Sequence, residues 1–85
     1  MSRILIVDDD KIMNDALSRA ILRTGHEVEC RQSIQEGLKE VNSNDYDVVY
    51  LDVRMPDGDG LESLAKFREA PSSPEIIQRN RLEFP

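Results

Sequence analysis

The sequence predicts one small α/β domain with a doubly wound parallel sheet, and two apolar runs are the main evidence. Ile4–Val7 and Val48–Leu51 are short and continuously apolar, which is typical of strands buried on both faces of a parallel sheet. The first run leads into Asp8 and Asp9, and the second leads into Asp52. Segments with helical spacing follow both runs, and this alternation of strand and helix predicts right-handed crossovers.

The first half of the chain adds a helix and a second strand to the first apolar run. The helix is expected near Lys11–Arg23, and Gly25 follows it in the left-handed position that commonly closes a helix. His26–Arg31 is typical of a strand in which Val28 and Cys30 alternate inward. The helix carries one apolar stripe at helical spacing, which consists of Ile12, Met13, Ala16, Leu17, Ala20 and Ile21.

The second half of the chain repeats the alternation. Ser33 and Glu36 have the spacing of a capping box, so a second helix begins there. Asp47–Leu51 is the third strand, and the proline and glycines of Met55–Gly60 argue against regular structure before a third helix. Glu75–Ile77 begins a fourth strand. The predicted element order is β-α-β-α-β-α-β with strand order 2-1-3-4, because the first and third strands must be neighbours.

The length and composition of the chain limit the kinds of partner that it is expected to bind. The 85 residues allow a single domain with a thin stability margin. The net charge of -6 argues against direct nucleic-acid binding and against adhesion to an anionic membrane. No apolar stretch is long enough to cross a bilayer. Cys30 is the only cysteine, which excludes an internal disulfide and favours the reducing cytoplasm.

The aspartates at the two strand ends form a candidate metal site. Parallel neighbouring strands end at the same edge of the sheet, so Asp8, Asp9 and Asp52 are expected to converge. Three carboxylates repel one another unless a cation neutralises them. Oxygen ligands of this kind suit a hard divalent ion, above all Mg²⁺. A carboxylate beside such an ion is also a candidate phosphoryl acceptor.

Three motifs follow one another along the chain, namely Ile4–Asp10, Leu51–Pro56 and Asp59–Gly60. Their order and spacing resemble the receiver domain of two-component response regulators, over roughly residues 2 to 77. The resemblance implies a flavodoxin-like fold, here incomplete. The run from Met55 onward also resembles receivers of nitrogen-regulation-type, sigma-54-dependent activators.

The resemblance implies a role for each acidic residue. Asp52 would be the phosphoacceptor, Asp9 would bind Mg²⁺ directly and Asp8 through water, and the backbone carbonyl of Arg54 would supply a further ligand. The phosphoryl donor would be a sensor histidine kinase in the cytoplasm. The chain would then be a signalling domain rather than an enzyme, with its output domain outside these 85 residues.

The chain also departs from the family pattern. The family carries Ser or Thr at the end of the fourth strand and a later Lys, whereas the only threonine here is Thr24 and the last lysine is Lys66. We therefore expect a partial receiver over residues 1–77 and an unrelated tail over residues 78–85. Phosphorylation of Asp52 should then be feeble or absent, and the open fourth-strand edge with the tail should support a homodimer.

Two alternatives stay open at this point. Asp8 and Asp10 after a buried strand also resemble the motif of haloacid-dehalogenase-type phosphatases, in which Asp8 would be the nucleophile and Asp10 the general acid. This class leaves the motif around Asp52 unexplained. The other alternative is an interaction fragment that performs no phosphoryl chemistry.

Overall fold

The computed structural model describes residues 1–52, 54–55 and 58–79, including the side chains of residues 1–52 and 62–79. None of the helices in these ranges combines the length and the apolar character needed to cross a membrane. The elements in chain order are β1 (Arg3–Val7), α1 (Lys11–Arg23), β2 (Glu27–Arg31), α2 (Ile34–Ser43), β3 (Val48–Asp52), β4 (Arg54–Met55), β5 (Gly58–Asp59), α3 (Gly60–Arg68) and β6 (Glu75–Arg79).

The main sheet has four parallel strands in the order β2-β1-β3-β6. Counted by the four longer strands, this is the predicted order 2-1-3-4, so the fold class is confirmed. In the register of the sheet, Ile6 of β1 lies opposite Tyr50 of β3, and Tyr50 lies opposite Ile77 of β6. The strand β6 continues through the polar residues Gln78 and Arg79, beyond the apolar start recognised in the sequence.

The segment after β3 differs from the sequence expectation. Arg54–Met55 and Gly58–Asp59 form a two-residue antiparallel ladder, in a region where no regular structure was expected. Pro and Gly disfavour a long strand or helix, but a ladder of two residue pairs requires few backbone hydrogen bonds. Pro56 and Asp57 lie outside the described residues.

The helix ends follow the signals in the sequence. The Ser33 hydroxyl accepts a hydrogen bond from the Glu36 N–H at 3.1 Å, so Ser33 is the N-cap of α2. Gly25 after α1 has φ +85°, a left-handed conformation that glycine adopts without a Cβ penalty. These local contacts explain why both helix boundaries could be predicted.

One side of the sheet, called the α2–α3 face below, carries the hydrophobic core. Alternate strand residues point to this side and are 0% exposed: Leu5, Val7, Val49 and Leu51. Helix α2 covers them with Ile34 and Val41, and α3 covers them with Phe67, which is also 0% exposed. Gly37 of α2 lies so close to Val7 that a Cβ at this position would be 2.7 Å from Val7 Cγ2.

The opposite side, called the α1 face below, is covered less completely. Its strand residues are Ile4, Ile6, Val48, Tyr50 and Ile77, of which only Ile6 is fully buried and Ile77 is 46% exposed. Of the helices that the structure describes, α1 is the one on this side, and it packs over β2. The contact includes Ser18 Oγ and Cys30 Sγ, 2.9 Å apart. Burial raises the pKa of the Cys30 thiol.

Only part of the apolar stripe of α1 faces the sheet. Met13, Leu17 and Ile21 are partly covered, whereas Ile12 is 83% exposed and the buried residue of the helix is the polar Asn14. Asn14 Nδ2 donates to the Asp8 carbonyl directly after β1, and Ser18 Oγ lies 2.9 Å from Cys30 Sγ of β2, so this polar edge faces inward. The prediction of an amphipathic helix is therefore correct, but its exact inward direction depends on tertiary contacts.

A polar cluster attaches α2 to the start of β3. The buried Tyr46 hydroxyl donates to Glu40 Oε1 at 2.7 Å, and Arg31 Nη2 donates to Glu40 Oε2 at 3.0 Å. Asn44 donates to the same carboxylate at 3.0 Å. The hydrogen bond from Tyr46 is the main reason that the pKa of Glu40 is lowered, and burial is the main reason that the pKa of Tyr46 is raised.

Candidate metal centre

The predicted acidic cluster is present at the carboxyl edge of the main sheet. One carboxylate oxygen from each of Asp8, Asp9 and Asp52 lies within 4.8 Å of the others. Asp52 ends β3, and Asp8 directly follows β1, the neighbouring strand. Asp8 and Asp52 are both 0% exposed, while Asp9 is the most open of the three. Parallel pairing of β1 and β3 therefore places the three side chains together, as the sequence predicted.

Asp8 is held in place by contacts on every polar group. Its N–H donates to the Arg31 carbonyl at 3.1 Å, and its carbonyl accepts from Asn14 Nδ2 at 2.8 Å. Its Oδ1 accepts from the Asp10 N–H at 2.9 Å, and its Oδ2 forms an ion pair with Arg79. Such a set of contacts positions the carboxylate before any ligand binds.

The start of α1 belongs to the same assembly. Asp10 is the N-cap, and its Oδ1 accepts from the N–H groups of Ile12 and Met13 at 3.0 and 3.2 Å. These two hydrogen bonds satisfy backbone N–H groups of the first turn that have no acceptor within the helix. Four residues into the helix, Asn14 reaches back to the Asp8 carbonyl. The Asp10 side chain therefore has a structural role in helix capping.

Arg79 is the residue of this site that sequence reasoning missed. It ends β6 in register with Asp52, and its guanidinium pairs with Asp8. The available signal was the alternation along the strand, since Ile77 and Arg79 are two residues apart and therefore point to the same face. The polar character of Gln78 and Arg79 concealed this position, because it suggested that the strand had already ended.

The backbone carbonyl of Arg54 is the remaining predicted ligand. Arg54 lies in β4, two residues after Asp52. The structure does not test whether its backbone carbonyl faces the acidic cluster, so this role stays a prediction.

The donor set fits a divalent ion of the magnesium type. Three carboxylates can supply hard oxygen ligands from one edge, and the open Asp9 leaves room for the waters that Mg²⁺ retains. Asp52 is 0% exposed, and a cation is one way to stabilise the charge of a buried carboxylate. The residues present are therefore compatible with Mg²⁺.

Comparisons with known proteins identify the family. Residues 4–79 match the family model described as the response regulator receiver domain. The chain is 42% identical over 66 residues to the response regulator MprA of Mycolicibacterium vanbaalenii, and 32% identical over 83 residues to KdpE of Escherichia coli, the KDP operon transcriptional regulatory protein. These matches cover 78% and 98% of this chain but only 29% and 37% of the two relatives.

Solved structures agree with this match. The response regulator TrrA of Thermotoga maritima, solved with Mg²⁺ and BeF, superposes with a TM-score of 0.86 and 34% identity, over 94% of this chain and 70% of that one. TrrA in complex with the histidine kinase ThkA gives a TM-score of 0.83 and 35% identity, over 92% and 67% of the chains. The family match leaves the phosphatase alternative without support. This chain therefore belongs to the family of response regulator receiver domains.

Proposed function

We propose that this receiver domain takes a phosphoryl group from a sensor histidine kinase onto Asp52, with Mg²⁺ bound by Asp8, Asp9 and Asp52. The observation that carries the proposal is the convergence of these three carboxylates within 4.8 Å at the carboxyl edge of the sheet. The pairing of TrrA with a histidine kinase, and its structure with Mg²⁺ and BeF, support the same chemistry.

Each protein residue has a distinct part in this proposal. The Asp52 carboxylate attacks the phosphorus atom, and the bond from phosphorus to its donor breaks. Asp8, Asp9 and Asp52, together with the carbonyl of Arg54, would hold the ion. Bound Mg²⁺ would supply positive charge against the phosphoryl oxygens, which is the main requirement of phosphoryl transfer.

The proposal includes a weak phosphorylation reaction for this chain. Arg79 lies at the end of β6, where the family pattern carries a Ser or Thr that contacts the phosphoryl oxygens. A donor aimed at developing charge commonly contributes a factor of about 10² to 10³ in rate, so the loss of this hydroxyl should leave feeble labelling or none.

Calorimetric titration with MgCl₂ tests the metal site. The wild-type chain should bind one ion, and Asp9→Asn or Asp52→Asn should abolish binding at millimolar concentration. Asp45→Asn is the matched control, because Asp45 is exposed and lies before β3, at the opposite end of the sheet. Equal binding by the control and the site variants would contradict the proposed ligand set.

Labelling with acetyl phosphate and Mg²⁺, followed by mass spectrometry of the intact chain, tests the acceptor. We expect a slow gain of one phosphoryl group in the wild type and none in Asp52→Asn. Asp8→Asn should label weakly but at the same residue, since Asp8 holds the ion rather than the phosphoryl group. Labelling that depends on Asp8 and persists in Asp52→Asn would instead favour the phosphatase-type mechanism. An absence of both labelling and Mg²⁺ binding would favour a pure interaction fragment.

We also propose a homodimer formed through the β6 edge and the tail. In the described sheet β6 is an outer strand, and its Ile77 is 46% exposed. An outer strand with an apolar residue is a template for pairing with a second chain. Light scattering at tens of micromolar should give twice the chain mass of 9.7 kDa, and Ile77→Lys should reduce it to the monomer value. A monomeric wild type would contradict this part.

The remaining assignments complete the proposal. We place the domain in the cytoplasm, with an output domain outside these residues, and propose no direct contact with nucleic acid or membrane. The sequence-based end of the receiver part near residue 77, with an unrelated or non-native tail over residues 78–85, stays a proposal, whereas β6 and the family match extend through Arg79. Residues 80–85 lie outside the described ranges. The resemblance to nitrogen-regulation-type receivers belongs to the proposal alone.

A further inference from the structure

We propose that Arg79 is the resident counter-cation of the acidic site and that it competes with Mg²⁺ for Asp8. This inference rests on the proposed metal site and adds to it a residue that belongs to no ligand set described above. Its consequence is that ion binding at this site is an exchange of one cation for another, rather than the filling of a free acidic cluster.

The register of the sheet places Arg79 on the side where the acidic side chains lie. Ile6 lies opposite Tyr50, and Tyr50 lies opposite Ile77. Asp52 lies opposite Arg79 in the same way. Because side chains alternate along a strand, Asp52 and Arg79 point to the α1 face together with Tyr50 and Ile77. This face is the less covered one, so a long side chain can lie along its edge.

The path of the Arg79 side chain is set by the strand order. β6 and β1 are separated by β3, and neighbouring strands lie about 4.8 Å apart. To reach Asp8, the guanidinium must therefore pass over the end of β3, where Asp52 is the residue in register with Arg79. The cation thus crosses the space between two of the proposed metal ligands.

The electrostatic reason for this contact is the burial of Asp8. Its side chain is 0% exposed, while that of Arg79 is 21% exposed. A buried carboxylate is costly without a cation or hydrogen bonds, and a carboxylate–guanidinium pair provides both. The Asp10 N–H donates to Oδ1 and Arg79 pairs with Oδ2, so both oxygens of Asp8 already have a partner when a metal ion or its water approaches.

Competition follows from this shared carboxylate. An ion that recruits Asp8 weakens or displaces its pair with the guanidinium, and this cost lowers the apparent affinity of the site for the ion. Once displaced, Arg79 stays attached to β6 beside Asp52, since its backbone is held in the parallel ladder.

The experiment is a pair of charge-matched substitutions studied in the full chain. Arg79→Gln removes the competing cation, and Arg19→Gln removes one positive charge from an exposed position in the middle of α1. Both variants have the same net charge, so the total charge of the chain does not differ between them. We expect the Mg²⁺ dissociation constant from calorimetry to fall about tenfold in Arg79→Gln, the size expected for one charge-assisted hydrogen bond, and less than twofold in Arg19→Gln.

Thermal unfolding with and without Mg²⁺ supplies a second readout. Without the ion, Arg79→Gln should have a lower Tm than Arg19→Gln, because Asp8 loses its counter-charge. Saturating Mg²⁺ should narrow this difference, since a ligand that binds more tightly stabilises the folded state more. If Arg79→Gln folds only when Mg²⁺ is present, this also supports the proposal, and Arg79→Lys then provides the affinity measurement, with an expected change of about threefold.

The two hypotheses fail in different ways. Equal or weaker Mg²⁺ affinity in Arg79→Gln and Arg79→Lys, compared with Arg19→Gln, overturns the competition while the metal site remains. If neither the wild type nor any Arg79 variant binds Mg²⁺ at millimolar concentration, the proposed metal site fails, and the competition fails with it.

Discussion

The two faces of the sheet differ in how they are covered, although the strands between them are the same. On the α2–α3 face, Leu5, Val7, Val49 and Leu51 are fully buried beneath two helices. On the α1 face, Ile6 is buried, but Ile4, Val48 and Tyr50 are only partly covered and Ile77 is 46% exposed. The difference arises from the helices, because both faces carry apolar residues at the alternation expected of a parallel sheet.

The residues that stabilise the fold and the residues of the acidic site lie in different parts of the sheet. The α2–α3 face holds the large buried side chains and therefore supplies most of the hydrophobic stabilisation. The acidic residues and Arg79 lie at the carboxyl edge, where Asp52 and Arg79 point to the α1 face. A site on the less covered side can exchange ligands without disturbing the core. Substitutions on the two faces should therefore differ greatly in their effect on the free energy of unfolding.

The largest effect is expected for Phe67→Ala on the α2–α3 face. Phe67 of α3 is 0% exposed and points into the core, so truncation removes buried apolar area and leaves a cavity. The free energy of unfolding, measured in urea, should fall by about 3 to 5 kcal/mol, a large part of the stability of so small a domain. Val48→Ala on the other face is the control, because Val48 is only partly covered and its expected loss is about 1 kcal/mol. Similar losses in both variants would abolish the contrast between the faces.

A second, smaller effect concerns the close contact between α2 and β1. In Gly37→Ala the new methyl group would lie 2.7 Å from Val7 Cγ2 and 3.2 Å from Phe67 Cζ, so buried side chains must move. Overpacking of this kind costs about 1 to 3 kcal/mol, more than the gain of about 1 kcal/mol from replacing glycine within a helix. A net loss in urea unfolding is therefore expected. A gain in stability would show that α2 moves away from the sheet more easily than the packing implies.

Tyr46→Phe should have a moderate effect that depends on pH. The substitution removes the hydrogen bond to Glu40, which keeps its contacts with Arg31 and Asn44, so we expect a loss of about 1 kcal/mol at neutral pH. Burial raises the pKa of Tyr46 above its usual value of 10.0. The stabilisation that depends on the neutral phenol is therefore complete below pH 10 and is lost as the pH rises further.

The pH dependence distinguishes this mechanism from a general packing defect. Unfolding free energies of the wild type should decline above pH 10, whereas those of Tyr46→Phe should lack this part of the decline. Parallel curves for the two proteins over that range would contradict the buried hydrogen bond. Such a result would weaken the view that polar contacts attach α2 firmly to the sheet.

The smallest effect is expected on the exposed side of α1. Ile12 is 83% exposed, so Ile12→Ser should change the free energy of unfolding by less than about 0.5 kcal/mol. Ile6→Ser is the matched control, because Ile6 of β1 lies on the α1 face of the sheet and is fully buried. Its replacement should lower the free energy of unfolding several times more. A loss above about 1 kcal/mol in Ile12→Ser would show that another surface covers this side of α1 in solution.

Much of the acidic site could be predicted from the sequence because it depends on local and repeating features. Apolar runs that end in aspartate define parallel strands, and parallel neighbours bring Asp8 and Asp52 to one edge whatever the details of packing. The caps at Ser33 and Gly25 are equally local, since each satisfies backbone groups within one turn. The sheet order followed from the need to place the first and third strands side by side.

Other features depended on contacts between distant parts of the chain. The inward edge of α1 is set by hydrogen bonds from Asn14 and Ser18 to the strands, so the apolar stripe alone could not give its direction. The role of Arg79 depends on the register of β6 and on a path across β3 to a residue 71 positions earlier. Sequence by itself determined which side chains end the central strands, because periodicity is local. Only the tertiary structure decided which cation lies among them, because that choice depends on strand register and on the reach of one long side chain.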